Sequence, residues 1–251
     1  MATLVSDDDA GANRQRRVQR GLTRFLVRDM RTLRRLIRPQ DLEGTVPDWI
    51  EAVRALVAQY GNASATAAAD FYDAERVAAR VTGRFTVPLL DAPPDEKVNN
   101  SLRWATKDLW PRDPDDPSTT EAQLQPLDVR LEAAEKKAEA VAQKLVTDQG
   151  RGTVQEAVRQ DRMAAGYARA AALGACAFCR MLSSRGMVYK QDTAGFRAHD
   201  GCNCGVIPVF RGQRFELSTH AREWDRLYRE FAAPYPGDQL RRFRRAIAEH
   251  G

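Results

Sequence analysis

The sequence is poor in lysine and histidine and has no cysteine outside one short segment. Of its 39 basic residues six are lysine and 33 arginine, and histidine occurs only at His199, His220 and His250. So few imidazoles leave little material for a nucleophile-and-base pair, which needs a histidine or equivalent base beside the attacking group. No Gly-rich phosphate loop, paired-carboxylate motif or Ser-His-Asp spacing stands out, and no catalytic assignment is made. No apolar run approaches the roughly 18 residues of a membrane span, so no membrane contact is expected. Met1 to Asp9 holds three consecutive aspartates and no apolar stretch, unlike a secretory leader. The chain's 251 residues, 43% hydrophobic and 29% charged, fit a globular chain large enough to bury its own core. They suggest a protein that stays in the cytosol or in a particle assembled there.

Hydrophobic spacing predicts a mainly α fold. Residues 1–12 read as a flexible acidic lead. A helical region over 13–110 opens with an amphipathic helix over 13–38, in which Val18, Leu22, Phe25, Leu26, Leu33, Leu36 and Ile37 recur at helical spacing. A second helix is expected from Pro47 to Tyr60, ended by Gly61. A third, capped by Asn62 or Ser64, runs to about Thr82, and a fourth covers 95–109 with Trp104 and Leu109 facing inward. Residues 111–126, with Pro111, Pro114, Pro117 and Pro126, read as a linker. Long helices follow over 127–173, interrupted at Gly150 and Gly152 and reopened by the capping box Thr153 and Glu156. Residues 174–251 form a last module: a Cys/His-rich segment, two short β-like runs at 187–189 and 206–210 that can pair, a helix capped by Ser218, and a basic closing helix. The expected architecture is therefore an elongated helical N-terminal region, a small Cys/His-rich α+β module with a short β-ribbon, and C-terminal helices.

The arginines cluster on two of these helices. Ten of them crowd residues 14–38 against the single acid Asp29. A coding bias explains some of the arginine preference, and a charged helix face is usually just solvated. The density here still exceeds the ordinary mixture of signs, and arginine makes planar, bidentate contacts to phosphate and carboxylate. Arg14, Arg16, Arg17, Arg20, Arg24, Arg28 and Arg31, with Arg241, Arg242 and Arg245 near the end, are the candidate contacts to DNA or an acidic partner. Trp104, Trp110 and Trp224 sit beside leucines at helical spacing and read as core rather than as base-stacking platforms.

All four cysteines lie between 176 and 204. Cys176 and Cys179 form a C-x2-C, and His199, Cys202 and Cys204 follow within a short loop. Zinc in structural sites takes four such N/S ligands in a closed tetrahedron. Four of these five residues are the candidate set, with a structural zinc ion as the cofactor. Two disulfides or buried free thiols are the alternatives.

The run Cys176-Ala-Phe-Cys179-Arg-Met-Leu-Ser-Ser-Arg-Gly, then Val188-Tyr189, then Phe196-Arg197-Ala198-His199-Asp200-Gly201-Cys202-Asn203-Cys204, closing on Val206-Ile207-Pro208-Val209-Phe210, resembles the C-terminal module of phage Mu F-like minor capsid (head morphogenesis) proteins. The versions in tailed phages of actinobacteria are the most similar. The specific likeness covers about 35 residues; the helices before it agree in character only. The resemblance implies a virion protein, assembled in the host cytoplasm and packaged in the capsid interior near the portal; the lack of a catalytic constellation among the residues points to a non-enzymatic one. It would aid head assembly or genome delivery. Implied partners are the portal protein, a scaffold or major capsid protein, and genomic DNA. The competing readings are a zinc-module nucleic-acid-binding protein or nuclease, and a capsid maturation protease of the kind some relatives carry. For the structural reading, metal removal is expected to melt only the C-terminal module.

Overall fold

A computed structural model describes residues 3–110, 112–189, 198, 202 and 204–251. In chain order these form β1 (Thr3–Ser6), α1 (Ala10–Leu33), α2 (Leu42–Ala78), α3 (Asp95–Thr106), α4 (Glu121–Leu124), α5 (Leu127–Gln160), β2 (Ala164–Ala170), α6 (Ala177–Ser183), β3 (Gly205–Phe210), β4 (Gln213–Glu216), α7 (Thr219–Phe231) and α8 (Gln239–His250). The chain is mainly helical, as the spacing predicts. No described helix is long and apolar enough to cross a membrane.

The chain divides into two units that do not follow sequence order. One gathers residues 1–20, 65–90 and 150–251, the other 21–64 and 91–149. The boundaries expected at 13, 111, 127 and 174 fall elsewhere because α1, α2 and α5 each contribute residues to both units.

The second unit is built on helices. Leu26, Met30 and Ile37 from the first helix and its extension, Val46, Trp49, Ile50, Val53 and Val57 from α2, Val98, Leu102 and Ala105 from α3, and Leu131, Ala134, Ala138, Val141 and Leu145 from α5 share one core. Each set steps by three or four residues, the apolar stripe of an amphipathic helix. The stripe of α1 is offset from the expected one. Thr23, Leu26 and Met30 are buried, while Phe25 is 52% exposed. Trp104 is likewise 50% exposed, with Lys107 Nζ 5.8 Å from its ring centre; Leu102 and Ala105 take the inward face. Part of the expected linker is helical, since Thr120 and Gln123 form a capping box that opens α4.

Two expected helix breaks are absent. Helix α2 runs through Gly61 and α5 through Gly152. Both glycines are there for close approach: a Cβ at Gly61 would overlap Gln149 Oε1, and one at Gly152 would overlap Leu90 Cδ2. Thr153, expected to cap a new helix, is buried inside α5, where its hydroxyl accepts from Leu90 N at 3.2 Å.

The first unit contains the strands. The helix expected over 153–173 ends at Gln160. Asp161 Oδ1 accepts from Met163 N at 2.9 Å, an Asx turn that competes with the helix. The chain then extends as β2, antiparallel to β3 with Ala170 opposite Gly205 and Ala164 opposite Phe210. The β-run at 206–210 is thus a strand, but its partner is 164–170. Residues 187–189 lie on the other side of β2, where Tyr189 bridges Tyr167.

Residues 3–12 are not a flexible lead. Strand β1 pairs in parallel with β4 from Thr3–Gln213 to Ser6–Glu216. Asp9 Oδ1 caps α1 by accepting from Ala12 N at 2.8 Å. Asp7 is fully buried and accepts from Ser218 N at 2.7 Å and from Ser218 Oγ at 2.8 Å. Ser218 in turn caps α7, accepting from Ala221 N.

Candidate metal centre

The C-x2-C straddles the start of α6. Cys176 is the N-cap residue, its Sγ 3.5 Å from Cys179 N, and Cys179 lies one turn in with its side chain buried. Cys202 and Cys204 immediately precede β3. The sulfurs of Cys202 and Cys204 reach the same group.

The result is a three-thiol cluster. Cys179, Cys202 and Cys204 are buried, and their Sγ atoms lie within 4.8 Å of one another. Cys179 and Cys202 Sγ are 3.3 Å apart. A tetrahedral ion with Zn–S bonds of about 2.3 Å requires sulfurs about 3.8 Å apart, inside this range. A disulfide needs about 2.05 Å, and the four cysteines are free thiols. Three buried thiols at this spacing can hold a metal ion. Cys176 is exposed and stands outside the three-sulfur group. His199 lies outside the described residues.

The cluster sits in a packed setting. Ala171, Met181, Ala221, Trp224, Leu227, Ala232 and Phe243 share its core. Arg151 of α5 is buried; its Nε donates to Cys204 O at 2.8 Å and its Nη2 to Cys202 O. This arginine ties down the backbone carrying two thiols. The three sulfurs share protons unequally. Hydrogen bonds from the Cys179 and then the Cys204 thiols hold Cys202 well below the usual thiol range, helped by the Arg151 charge. The Cys202 and Cys204 contacts and burial push Cys179 up. Thiolate is the form that ligates, and of the three sulfurs this setting favours it most at Cys202.

The expected basic residues are divided between the units. In the first, Arg14, Arg17 and Arg20 are exposed, whereas Arg16 is partly buried and donates to Asp7 O at 3.0 Å and Asn13 Oδ1 at 2.7 Å. In the second, Arg24, Arg28 and Arg31 line a cavity of about 380 Å³ with Thr23, Val27 and Gln143. Arg31 makes a two-pronged pair with Glu139 at 2.8 and 3.3 Å, and Arg28 pairs with Asp29 at 2.9 Å. On α8, Arg242 packs over the Tyr235 ring at 3.5 Å and pairs with Asp238 at 3.3 Å. Arg241 reaches the same acid at 3.9 Å, and Arg245 is exposed.

The sequence reading missed one meeting of chemical groups. Ser218 Oγ lies 3.1 Å from His220 Nε2, and Asp7 Oδ2 lies 3.6 Å from the same nitrogen. A hydrolytic triad needs the acid on the other imidazole nitrogen and a free hydroxyl. Here the carboxylate engages the serine itself and the hydroxyl caps a helix, so the group is a tie between β1 and α7. Arg151 was missed as well, because its flanking glycines read as a helix break.

Residues 6–231 match the family described as VG15 protein. The chain belongs to that family. It is a family of viral, phage proteins, and its matched span runs from the end of β1 to the end of α7, taking in all four cysteines. No curated protein and no solved structure matches this VG15 chain.

Proposed function

We propose that this VG15 protein is a minor capsid, or head morphogenesis, protein of a tailed phage, packaged inside the head beside the portal. It binds the portal protein and aids head assembly or genome delivery, with genomic DNA and a scaffold or major capsid protein as further partners. The observation that carries the reading is the gathering of Cys179, Cys202 and Cys204 by the very segment that resembles Mu F-like proteins, in a chain of a phage family. The exposed arginines of α1 and α8 support the DNA contact, since guanidinium groups displace counterions from phosphates. A catalytic role has less support: the Asp7, Ser218 and His220 group is arranged as a structural tie, and we read the chain as non-enzymatic.

We infer further that the thiol cluster holds one structural zinc ion, with Cys176 or His199 as fourth ligand. Bound there, zinc would fix α6 to the start of β3. The test is co-expression with the portal protein of the same phage, followed by affinity capture and metal analysis. Co-purification with portal, with one zinc per chain, is expected. A chain that ignores portal and capsid proteins would overturn the functional reading, and thiols that purify without metal under reducing conditions would overturn the zinc assignment.

A further inference from the structure

The cavity of about 380 Å³ beside α1 lies wholly within the unit formed by residues 21–64 and 91–149. Arg24, Arg28 and Arg31 line it with Thr23, Val27 and Gln143. The arginines are four and three residues apart, which stacks them on one face of the helix. Among the described residues no carboxylate shares the lining.

Two of the guanidinium groups are held from outside the cavity. Arg31 gives Nε and Nη2 to Glu139 at 2.8 and 3.3 Å, and the side chain of that acid is 11% exposed. Arg28 directs Nε and Nη2 to Asp29 Oδ1, both at 2.9 Å, while Tyr60 OH fixes the other oxygen of Asp29 at 2.5 Å. A guanidinium carries more N–H donors than these pairs use, and in both arginines Nη1 has no acceptor among the described residues. Arg24 is exposed and makes no hydrogen bond or ion pair among the described residues. Three arginines against two acids leave the cluster positive. The acids therefore orient two of the cations without using up their donors, so little ordering is left for a ligand to impose.

We propose that this cavity binds a phosphate group. A lining with surplus N–H donors and no carboxylate calls for a ligand that is anionic and rich in acceptors. Phosphate presents several oxygens around one centre, and the planar forks of arginine match them bidentately. A side-chain carboxylate presents one edge, which occupies one fork and leaves the other arginines unserved. Free phosphate and a phosphate within a DNA strand share this chemistry. The DNA source rests on the functional reading above, whereas the site itself rests on the three arginines.

The probes are inorganic phosphate, acetate at equal ionic strength, and a short duplex DNA, each titrated into the full chain and followed at the Gln143 side-chain amide by NMR. So small an anion binds in the millimolar range. We expect a saturable shift with phosphate and none with acetate. Arg24→Gln alters an exposed side chain and should weaken phosphate about tenfold, the scale of one charge-assisted hydrogen bond. Lys136→Gln removes the same charge from an exposed site on α5, outside the lining, and should leave phosphate binding unchanged. DNA that moves the same amide, and loses that effect in Arg24→Gln, upholds the site with nucleic acid as its source. Phosphate that binds where DNA does not upholds the site with free phosphate as its source. Acetate binding as well as phosphate would overturn the proposal in favour of an acidic protein partner. So would an Arg24→Gln variant no weaker than Lys136→Gln, or no saturation by phosphate up to a concentration on the order of 10 mM. A chain that fails to capture portal but passes this titration would sink the functional reading and keep the site, so the two fail separately.

Discussion

Replacing Arg76 with leucine should unseat the best-buried ion pair among the described residues. Arg76 Nη1 pairs with Asp161 Oδ2, with side-chain exposures of 8% and 4%. The same carboxylate oxygen accepts from Tyr72 OH at 3.1 Å, and the other accepts from Met163 N. Arg76 also donates to Gly83 O at 3.1 Å and lies over the Phe85 ring at 5.2 Å. Without the guanidinium, Asp161 loses the buried countercharge that Arg76 supplies. Breaking a buried pair from one side costs about 3–5 kcal/mol, a large part of a typical total of about 5–15 kcal/mol. Leucine retains some of the apolar stem, so the loss reflects mostly the stranded carboxylate. The double variant Arg76→Leu with Asp161→Asn removes that charge and should recover about 2 kcal/mol of the loss, a coupling in the range of neighbouring groups. Urea unfolding followed at the Trp224 indole, which reports on the same unit, measures both. A single variant losing under about 1 kcal/mol, or a double variant no better than the single, would refute the reasoning.

Other changes probe different links. Burial, and then the neighbouring charge of Asp9, raises Glu75 to about 7 against the opposing pull of Arg14. A carboxyl raised in the folded state binds more protons there than when unfolded, so the wild type should lose stability as pH climbs from about 4.5 to about 7. Glu75→Gln should remove a loss on the order of 2 kcal/mol, read as the difference between the two chains' stability profiles across that window. Arg80 has φ +55° just past α2, where Val81 N bonds Arg76 O and Arg80 N bonds Val77 O. This is the Schellman pattern that favours glycine; Arg80→Gly should raise the melting temperature by a few degrees, worth about 1 kcal/mol, and a lower value would count against the strain argument. Ser218→Ala strips both the α7 cap and a donor to buried Asp7; a loss of about 2 kcal/mol in chemical denaturation is expected, and a neutral result would mean the tie to β1 contributes nothing.

Helices were legible where an apolar stripe faces one core. Ile50, Val53 and Val57 follow from spacing alone, whereas on α3 the bulk of Trp104 misled and Leu102 and Ala105 hold the inward face. Stop signals were misread where a glycine serves a distant neighbour. Gly61 answers to Gln149 and Gly152 to Leu90, residues remote in sequence, so no local rule distinguishes these glycines from helix ends. Strand β2 was hidden for a related reason. Its sequence AAGYARA has the composition of a helix former, and pairing with Val206–Phe210 overrides that preference. The cysteine spacing was readable because C-x2-C and C-x-C are local geometry. The groups that support it, Arg151 and the buried Asp7, were not, since each meets its partners across more than fifty residues of chain.

That last point changes what the cysteine segment is. An autonomous zinc knuckle would lack core of its own and fold only around its metal. Here the thiols share a core with Trp224, Leu227 and Phe243 of the two last helices. The C-x-C backbone is held by an arginine from α5, and α7 is capped through Ser218 by the first strand's neighbour Asp7. The segment is the centre of a unit assembled from three separated stretches of chain. Losing the proposed zinc from such a centre would remove a brace between α6 and β3 but leave the apolar contacts and the Arg151 bonds in place. The consequence should therefore be a loosening graded through the whole unit, strongest at α6, and not the isolated melting of a small C-terminal module that the spacing alone suggests.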